Sequence, residues 1–461
     1  MSQDGRGGEM NENDSWFVAV GGGDKAYSGE ALLWETPTGR RIRWGRVAVD
    51  LGSGDYTGRA VSLHEPDIVV LTHDDGDHVG GWDAFARTGL RHLRELWVPV
   101  EWGVLLALLE GAARTSTERD RRERSERWTG QSLEETYLGE GDPAHPDERP
   151  AARDGQWRRE AIVHRARSLQ ENDEFLNTLA ERLREQRDVD GAHEERAERW
   201  QGTPCAVGKR LVHSAVTISR IILDALASGV GVRYFSVEKA LRDGRLRPSP
   251  GLAPRSAVTI ANAHEVGPPR LLRRPPSDDL AHLLALTIQN RRALTPVLWA
   301  ERGGPTVIVW SDTSGQWIAR VKDLPDLLTH TTVTTAPHHG SSNRVHDRVW
   351  KAMKPMLERG QTVVVSAGGE SSQGVHPAFL AVPVSRRACT RCRHVSPAPS
   401  RSRNVVVRIA PWTPPEFVCG DCRSWDAGCH GPLVVRTTGS WHPVSSRVTP
   451  WAARRREVSS G

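Results

Sequence analysis

Residues 67–81 constrain the fold more than any other stretch of this chain. The apolar, β-branched run Ile68–Leu71 predicts a short buried strand, and it is followed at once by a polar loop and then by Gly80-Gly81. The loop carries four groups that bind divalent metals: His73, Asp75, Asp77 and His78. Alternate spacing lets residues 73, 75 and 77 point to one side, and the adjacent pair 77/78 can reach two ions. The stretch therefore predicts a metal site at the end of a strand, and the alternative is an acidic surface turn with two histidines.

Two later segments repeat the pattern of a strand followed by possible ligands. Thr306–Asp312 reads Thr-Val-Ile-Val-Trp-Ser-Asp, and Val333–Ser341 ends in Pro-His-His-Gly-Ser, with the histidines at 338 and 339. Upstream, Val47-Ala-Val-Asp-Leu-Gly52 predicts a strand that ends at Asp50. We expect Asp50 to lie behind the metal loop as a hydrogen-bond acceptor, or to be an ordinary aspartate at a strand end.

Together these motifs resemble the metallo-β-lactamase superfamily, whose signature is His-x-His-x-Asp-His. Asp75 takes the place of the second histidine, a variant similar to the soluble domain of ComEC-type competence proteins and their stand-alone relatives. In the element resembling Leu-Leu-x-Gly-Asp, Ser311 replaces the glycine before Asp312. The resemblance implies an α/β (α+β) fold, a four-layer αββα sandwich, here with a helical insertion and a four-cysteine zinc-ribbon insertion.

The resemblance also implies a dinuclear site. His73 and Asp75 hold one ion, Asp77, His78 and His339 hold the other, and Asp312 lies between them. His338 and Ser341 then face the substrate or support the ligands, and His376 either contacts substrate or is a simple loop histidine. Asp77, His338 and His376 are the expected catalytic residues. Members of the superfamily usually add one more histidine to the first ion, and His264 and His282 lie in the right interval without a recognisable motif.

Four cysteines near the end of the chain form a second metal motif. They are Cys389, Cys392, Cys419 and Cys422, two C-x-x-C pairs with 26 residues between them. This spacing predicts a tetrahedral structural Zn²⁺ site, although Cys429-His430 leaves an exchange of ligand open. Five of the six cysteines lie in the last quarter of the chain, which suits metal binding in a reducing cytoplasm.

The predicted organisation alternates core segments with insertions. Residues 1–14 are a disordered N-terminus, 15–101 and 205–384 are two parts of the metallo-β-lactamase fold, 102–204 are a charged helical insertion, 385–430 are a zinc-ribbon-like insertion, 431–446 are the closing strand, and 447–461 are a flexible tail.

Composition limits the partners. The net charge is +5, but 62 Lys and Arg nearly balance 57 Asp and Glu, so the charge points only weakly to nucleic acid. No apolar run reaches about 18 residues, and no apolar leader follows Met1, so we expect a cytoplasmic protein without a membrane span.

The expected activity is metal-dependent hydrolysis. Two Zn²⁺ ions would hold a bridging hydroxide that attacks phosphorus or a carbonyl, and the hard oxygen of Asp75 makes Mn²⁺ acceptable as well. The ComEC-like branch is associated with nuclease activity, which favours a phosphodiesterase acting on nucleic acid. The alternatives are a small-molecule hydrolase of esters, lactones or thioesters, and a non-catalytic module whose helical insertion and ribbon bind a protein partner.

Overall fold

The structure is a computed structural model. It describes residues 15–20, 30–36, 38, 44–114, 171–172, 174, 176–177, 204–243, 257–269, 293–300, 304–320, 324–331, 333–342, 344–359, 362–366, 376–383, 386–389, 401–410, 433–438 and 442–443.

These residues form strands and helices that alternate along much of the chain. The strands are β1 Ser15–Val20, β2 Ala31–Glu35, β3 Arg46–Val49, β4 Ile68–Val70, β5 Glu95–Pro99, β6 Gly231–Ser236, β7 Val258–Ile260, β8 His264–Val266, β9 Pro296–Ala300, β10 Gly304–Ile308, β11 Val333–Thr335, β12 Val363–Ser366, β13 Arg387–Cys389, β14 Arg401–Ala410, β15 Leu433–Thr438 and β16 His442–Pro443. The helices are α1 Asp55–His64, α2 Gly76–Val79, α3 Trp82–Ala86, α4 Val100–Arg114, α5 Pro204–Ala227, α6 Val237–Asp243, α7 Leu324–His330, α8 Asp347–Glu358 and α9 Pro377–Ala381. Short 3₁₀ turns cover Ile318–Arg320, Pro337–Gly340 and Arg344–His346.

The strands form two mixed sheets. The first has the order β16-β15-β14-β1-β2-β3-β4-β5-β6-β8, and the second has the order β13-β12-β11-β10-β9-β7. The run β3 to β6 is parallel in the first sheet, as is the run β10 to β13 in the second. The chain therefore has the mixed α/β architecture that its sequence predicts.

Alternation along β4 shows how the sheets are packed. Ile68 and Val70 join a buried cluster that also contains Leu298 and Val307 from the second sheet, so the two sheets pack face to face. Val69 points the other way, into a cluster with side chains of α1, α3, α4 and α5. A third cluster joins the second sheet to α7, α8 and α9. Successive strand residues point to opposite faces, which explains why this short run is apolar throughout.

One predicted helix is shorter than its pattern indicates. The sequence predicts a helix from Trp82 to about Arg94, but α3 ends at Ala86. The amide of Gly89 donates to the carbonyl of Phe85, and a Cβ at Gly89 would lie 2.3 Å from the Phe85 ring. The chain thus continues beyond α3 as a series of turns over residues 87–92.

Parts of the predicted insertions belong to the main packing. In α4, Trp102 and Leu105 are fully buried in the cluster on the first sheet, although the predicted helical insertion begins at residue 102. Strand β14, within the segment assigned to the zinc ribbon, pairs in parallel with β1. Its apolar, β-branched run Val405–Val407 suits an interior strand.

The predicted zinc site falls mostly outside the described residues. Cys389 ends β13, but Cys392, Cys419 and Cys422 lie outside the described ranges, as does most of the helical insertion. Among the described residues, no helix is both long and apolar enough to cross a membrane.

Candidate metal centre

The metal loop leaves β4 and turns directly into α2. Asp75 precedes the first turn of this helix, and its carbonyl accepts hydrogen bonds from the amides of His78 and Val79. Its side chain does not cap the helix and instead lies 3.2 Å from Nε2 of His73. The sequence thus folds into a tight turn that aims this carboxylate at a neighbouring imidazole.

Asp50 holds this loop from behind, as the sequence predicts. Its Oδ1 accepts from the amide of Thr72 at 2.8 Å, and its Oδ2 accepts from the Thr72 hydroxyl at 2.7 Å. The same Oδ2 lies 2.8 Å from Nδ1 of His78. Because a carboxylate only accepts, Nδ1 carries the proton, and Nε2 of the neutral ring is left with a lone pair for a metal.

His73 is oriented in the same way by hydroxyl groups. Its Nδ1 lies 3.0 Å from Oγ1 of Thr72 and 3.4 Å from Oγ of Ser311. The Thr72 hydroxyl donates to Asp50, so it accepts from His73. Nε2 of His73 therefore faces the carboxylates of Asp75 and Asp312.

Asp312 lies at the centre of the cluster and is fully buried. Its Oδ2 is 3.5 Å from Nε2 of His73 and 3.5 Å from Nε2 of His338. Its Oδ1 is 3.6 Å from Nε2 of His78 and 3.9 Å from Nε2 of His339. Each oxygen therefore faces one pair of imidazoles, as a carboxylate that bridges two ions would.

The two histidines of the second sheet sit in an unusual backbone turn. His338 and His339 have φ of +46° and +55°, and Gly340 follows with φ of +84°. This left-handed run turns both rings toward Asp312, and Nε2 of His339 also lies 3.0 Å from Oδ2 of Asp77.

His346 determines which ring nitrogen of His338 carries the proton. Nδ1 of His346 lies 3.0 Å from the carbonyl oxygen of Thr313, which can only accept, so this nitrogen is protonated. Nε2 of the neutral His346 ring then accepts from Nδ1 of His338, 3.1 Å away. His338 is left with a lone pair on Nε2, the atom that faces Asp312.

The ligand atoms fall into two sets. By the Asp312 oxygen that each imidazole faces, we define a first-ion set of His73 and His338 with Asp75 and Oδ2 of Asp312, and a second-ion set of His78 and His339 with Asp77 and Oδ1 of Asp312. His73 and His78 also lie close enough to share one ion with Asp312. Each set offers two imidazole nitrogens and two carboxylate oxygens, which suits Zn²⁺ or Mn²⁺. Nε2 of His78 is buried and has no hydrogen-bond partner among the described residues, as expected of an atom reserved for a metal. The donors present therefore fit a divalent metal ion, and their division around Asp312 leaves room for the proposal of two.

Charge is concentrated in this cluster. Burial and His78 lower the pKa of His73, but Asp75 and Asp312 outweigh them and raise that pKa to about 10. Burial raises the pKa of Asp312, while the imidazoles of His338 and His73 outweigh it and hold that pKa well below its usual range. The carboxylates thus attract positive charge, which protons supply when no metal is bound.

The geometry offers His338 as a candidate for the further ligand beside His73. His338, expected from the sequence to face the substrate, has its Nε2 among the first-ion atoms. His264 lies on β8, paired with Ser236, and is absent from both groups of possible metal ligands found among the described residues. His282 lies outside the described residues.

His376 has contacts of a different kind. Its Nδ1 accepts from the amide of Ala378 and caps α9, and its Nε2 lies 2.9 Å from Asp347. Its ring stacks on Trp350 with centroids 5.2 Å apart. Both ring nitrogens are therefore engaged away from Asp312, and the substrate contact expected of His376 stays a prediction.

Sequence reasoning missed Glu30 and His346. Glu30 is buried and forms a possible metal-binding group with His78 and His339. Its only signal is an acidic residue placed directly before the apolar strand β2. His346 follows the Gly-Ser motif by a few residues and carries no pattern of its own.

Comparisons with protein-family models, with curated proteins and with solved structures found no match for this chain.

Proposed function

We propose that this protein is a dinuclear metal-dependent hydrolase of the metallo-β-lactamase superfamily, acting as a phosphodiesterase on nucleic acid. The observation that carries the proposal is the fully buried carboxylate of Asp312, whose two oxygens each face a separate pair of imidazoles. A bridging carboxylate between two sets of nitrogen and oxygen donors is what a two-ion hydrolytic site requires.

The fold supports the same proposal. Two face-to-face sheets with helices packed on each outer side correspond to the αββα sandwich of that superfamily. The ligands follow β4, β10 and β11, whose carboxyl ends meet where open α/β proteins place their sites. The left-handed turn at His338 and His339 brings the second sheet to the loop of the first.

Two divalent ions held there would lower the pKa of a bound water and stabilise charge that develops on a phosphoryl oxygen. The residues of this chain position the ions and fix the tautomers of the histidines. Asp312 sets the spacing of the two sets, Asp50 and Thr72 fix the protons on His78 and His73, and His346 fixes the proton on His338.

The choice of a phosphodiester over a lactone or thioester rests on the resemblance to ComEC-type domains, with which the donor chemistry is compatible. Asp75 gives the first-ion set as many oxygen donors as nitrogen donors, which makes Mn²⁺ acceptable there. The slight excess of positive charge and the resemblance to ComEC-type domains point the same way, toward nucleic acid.

The test combines metal analysis with a substrate panel. Protein loaded separately with Mn²⁺ and with Zn²⁺ is assayed on bis-p-nitrophenyl phosphate, on single- and double-stranded DNA and RNA, and on a lactone and a thioester. The proposal expects two ions in the centre and cleavage of the phosphodiesters. His213→Ala, which removes an exposed histidine on α5, serves as the control and should behave like the parent protein. Cleavage of the lactone or thioester alone would favour the small-molecule hydrolase, and a chain that binds no ion in the centre would refute both.

A further inference from the structure

Glu30 is fixed between the two stretches that carry the second-ion set. Its amide donates to the carbonyl of Asp77 at 2.8 Å, and its carbonyl accepts from the amide of Gly52 at 2.9 Å. The backbone of Glu30 therefore bridges the metal loop and the turn that follows Asp50.

Within the described part of the chain, the Glu30 carboxylate is buried without the hydrogen bonds that normally accompany a buried charge. Its side chain is almost completely buried, and neither oxygen has a hydrogen-bond partner among the described residues. Burying an ionised carboxylate without donors is strongly unfavourable unless a positive group compensates it. Such a residue in a packed interior calls for a cation or a donor nearby.

The groups that face this carboxylate are two imidazoles and two carboxylates. Oε2 of Glu30 lies 3.9 Å from Nδ1 of His339, and the carboxylate also groups with His78. Burial raises the pKa of Glu30 to about 7, His339 and His78 oppose this rise, and Asp50 and Asp312 reinforce it. Nδ1 of His78 already donates to Asp50, so Nδ1 of His339 is the donor that Glu30 can use.

The arrangement resembles that of Asp50 and His78 at a longer separation, 3.9 Å from Oε2 of Glu30 to Nδ1 of His339 against 2.8 Å from Oδ2 of Asp50 to Nδ1 of His78. There the carboxylate holds Nδ1 and presents Nε2 to the metal. In His339, Nε2 likewise faces Asp77 and Asp312 while Nδ1 faces Glu30. A carboxylate behind a metal-ligating histidine fixes the ring and its tautomer, and it strengthens the nitrogen that binds the metal.

We propose that Glu30 is a positioning residue for the second ion: it accepts the Nδ1 proton of His339 and holds Nε2 of that ring toward the ion. The proposal rests on the metal centre of the proposed function. It adds a residue that acts on one of the two ions only, since the imidazoles that face Glu30 in the described part of the chain, His78 and His339, both belong to the second-ion set.

The experiment measures metal binding directly. Metal-free protein is titrated with Mn²⁺, and electron paramagnetic resonance separates a lone ion from a spin-coupled pair. Glu30→Ala should lower the affinity for the second ion by roughly 100-fold. Glu30→Gln, whose amide oxygen still accepts from Nδ1, should lower that affinity by roughly 10-fold. The first ion should bind as before, so the coupled spectrum should be replaced by that of a single ion at Mn²⁺ concentrations that saturate the parent protein. Glu101→Gln, which changes a buried glutamate on α4 outside the centre, should retain the coupled spectrum.

A double-mutant cycle with His339→Ala tests whether Glu30 acts through His339. If Glu30 acts through His339, Glu30→Ala should add no further loss in a chain that already lacks this imidazole. A further loss in that background would mean that Glu30 acts without His339 and would overturn the proposal. Parent-like binding by both Glu30 variants would overturn it too, while leaving the two-ion centre intact. Failure of the parent protein to bind two ions would instead refute the proposed function.

Discussion

The two halves of the metal centre are built in different ways. The loop half consists of His73, Asp75, Asp77 and His78, which lie within one short stretch after β4. The sheet-end half consists of Asp312, His338 and His339, which follow the strands β10 and β11 of the second sheet. The loop half comes from contiguous sequence, whereas the sheet-end half exists only once β10 and β11 pair.

The halves also differ in what holds them in place. Hydrogen bonds fix the loop half, chiefly three contacts to the carboxylate of Asp50. Left-handed backbone is concentrated in the sheet-end half, where Ser311, His338 and His339 have φ of +48°, +46° and +55°, although Asp50 behind the loop half also has φ of +57°. A left-handed residue other than glycine costs about 1–2 kcal/mol, so the surrounding packing must hold this turn. Loss of a hydrogen-bond acceptor should therefore damage the loop half more than the sheet-end half, which depends both on the acceptor nitrogen of His346 and on backbone preference.

Asp312→Ala should have the largest effect because both ion sets share this residue. We expect both ions to be lost and phosphodiester hydrolysis to fall by at least about a thousand-fold. Metal content by mass spectrometry and turnover of bis-p-nitrophenyl phosphate measure the two effects. The double variant with His339→Ala should be no worse than Asp312→Ala, since the residues act as one unit. Hydrolysis that persists in Asp312→Ala would show that the halves do not share a bridge.

Asp50→Asn should disturb the hydrogen bonds of the loop half and leave those of the sheet-end half in place. The amide nitrogen of asparagine cannot accept, so Thr72 or His78 would lose its partner in a buried site. We expect metal affinity to fall by roughly 10- to 100-fold and the free energy of unfolding by about 1–3 kcal/mol. Calorimetric metal titration and urea unfolding measure these changes. Asp55→Asn, at an exposed carboxylate on α1, is the matched control and should alter neither.

His346→Phe should weaken the sheet-end half by a smaller amount. Phenylalanine fills the buried space of the ring but leaves Nδ1 of His338 without its acceptor. The affinity of the first-ion set should fall by about 10-fold, while the second-ion set is unchanged. His346→Gln, whose side-chain oxygen can accept from His338, should recover part of the loss. Equal affinity in the phenylalanine variant and the parent protein would show that His346 does not set the tautomer of His338.

Changes at Ser311 should have the smallest effect and should separate strain from hydrogen bonding. Ser311→Gly removes the left-handed strain and also the hydroxyl that lies 2.8 Å from Oγ1 of Thr72, so the two effects should nearly cancel. Ser311→Ala removes the hydroxyl and retains the strain. We expect the glycine variant to be more stable than the alanine variant by about 1 kcal/mol in thermal unfolding. Equal stability would mean that the left-handed turn stores no strain at this position.

The sequence predicted which residues would lie together more fully for the loop half than for the sheet-end half, and their binding of metal stays a prediction. Strand, loop and ligands from 68 to 78 are adjacent, and the acceptor role of Asp50 followed from a local motif. Asp312 and His339 were also found by motif, but the position of His338 depends on His346, a contact across a turn that no local pattern encodes.

Contacts made only in the folded chain account for the rest. Glu30 acts from the start of β2, far from the loop in sequence, and only sheet pairing brings the two together. His376 follows an apparent active-site pattern, yet its ring caps a helix and stacks on Trp350. Residues that serve packing and residues that serve chemistry can thus look alike until their neighbours are known.

Because Asp312 receives imidazoles from both sheets, an ion bound beside it fastens one sheet to the other. Such an ion binds the folded chain and not the unfolded one, so it stabilises by mass action, by about 2.7 kcal/mol when the free ion is at a hundred times its dissociation constant. That is a large share of the stability of an ordinary domain. The supply of metal in the surroundings would therefore change the fraction of chains that are folded.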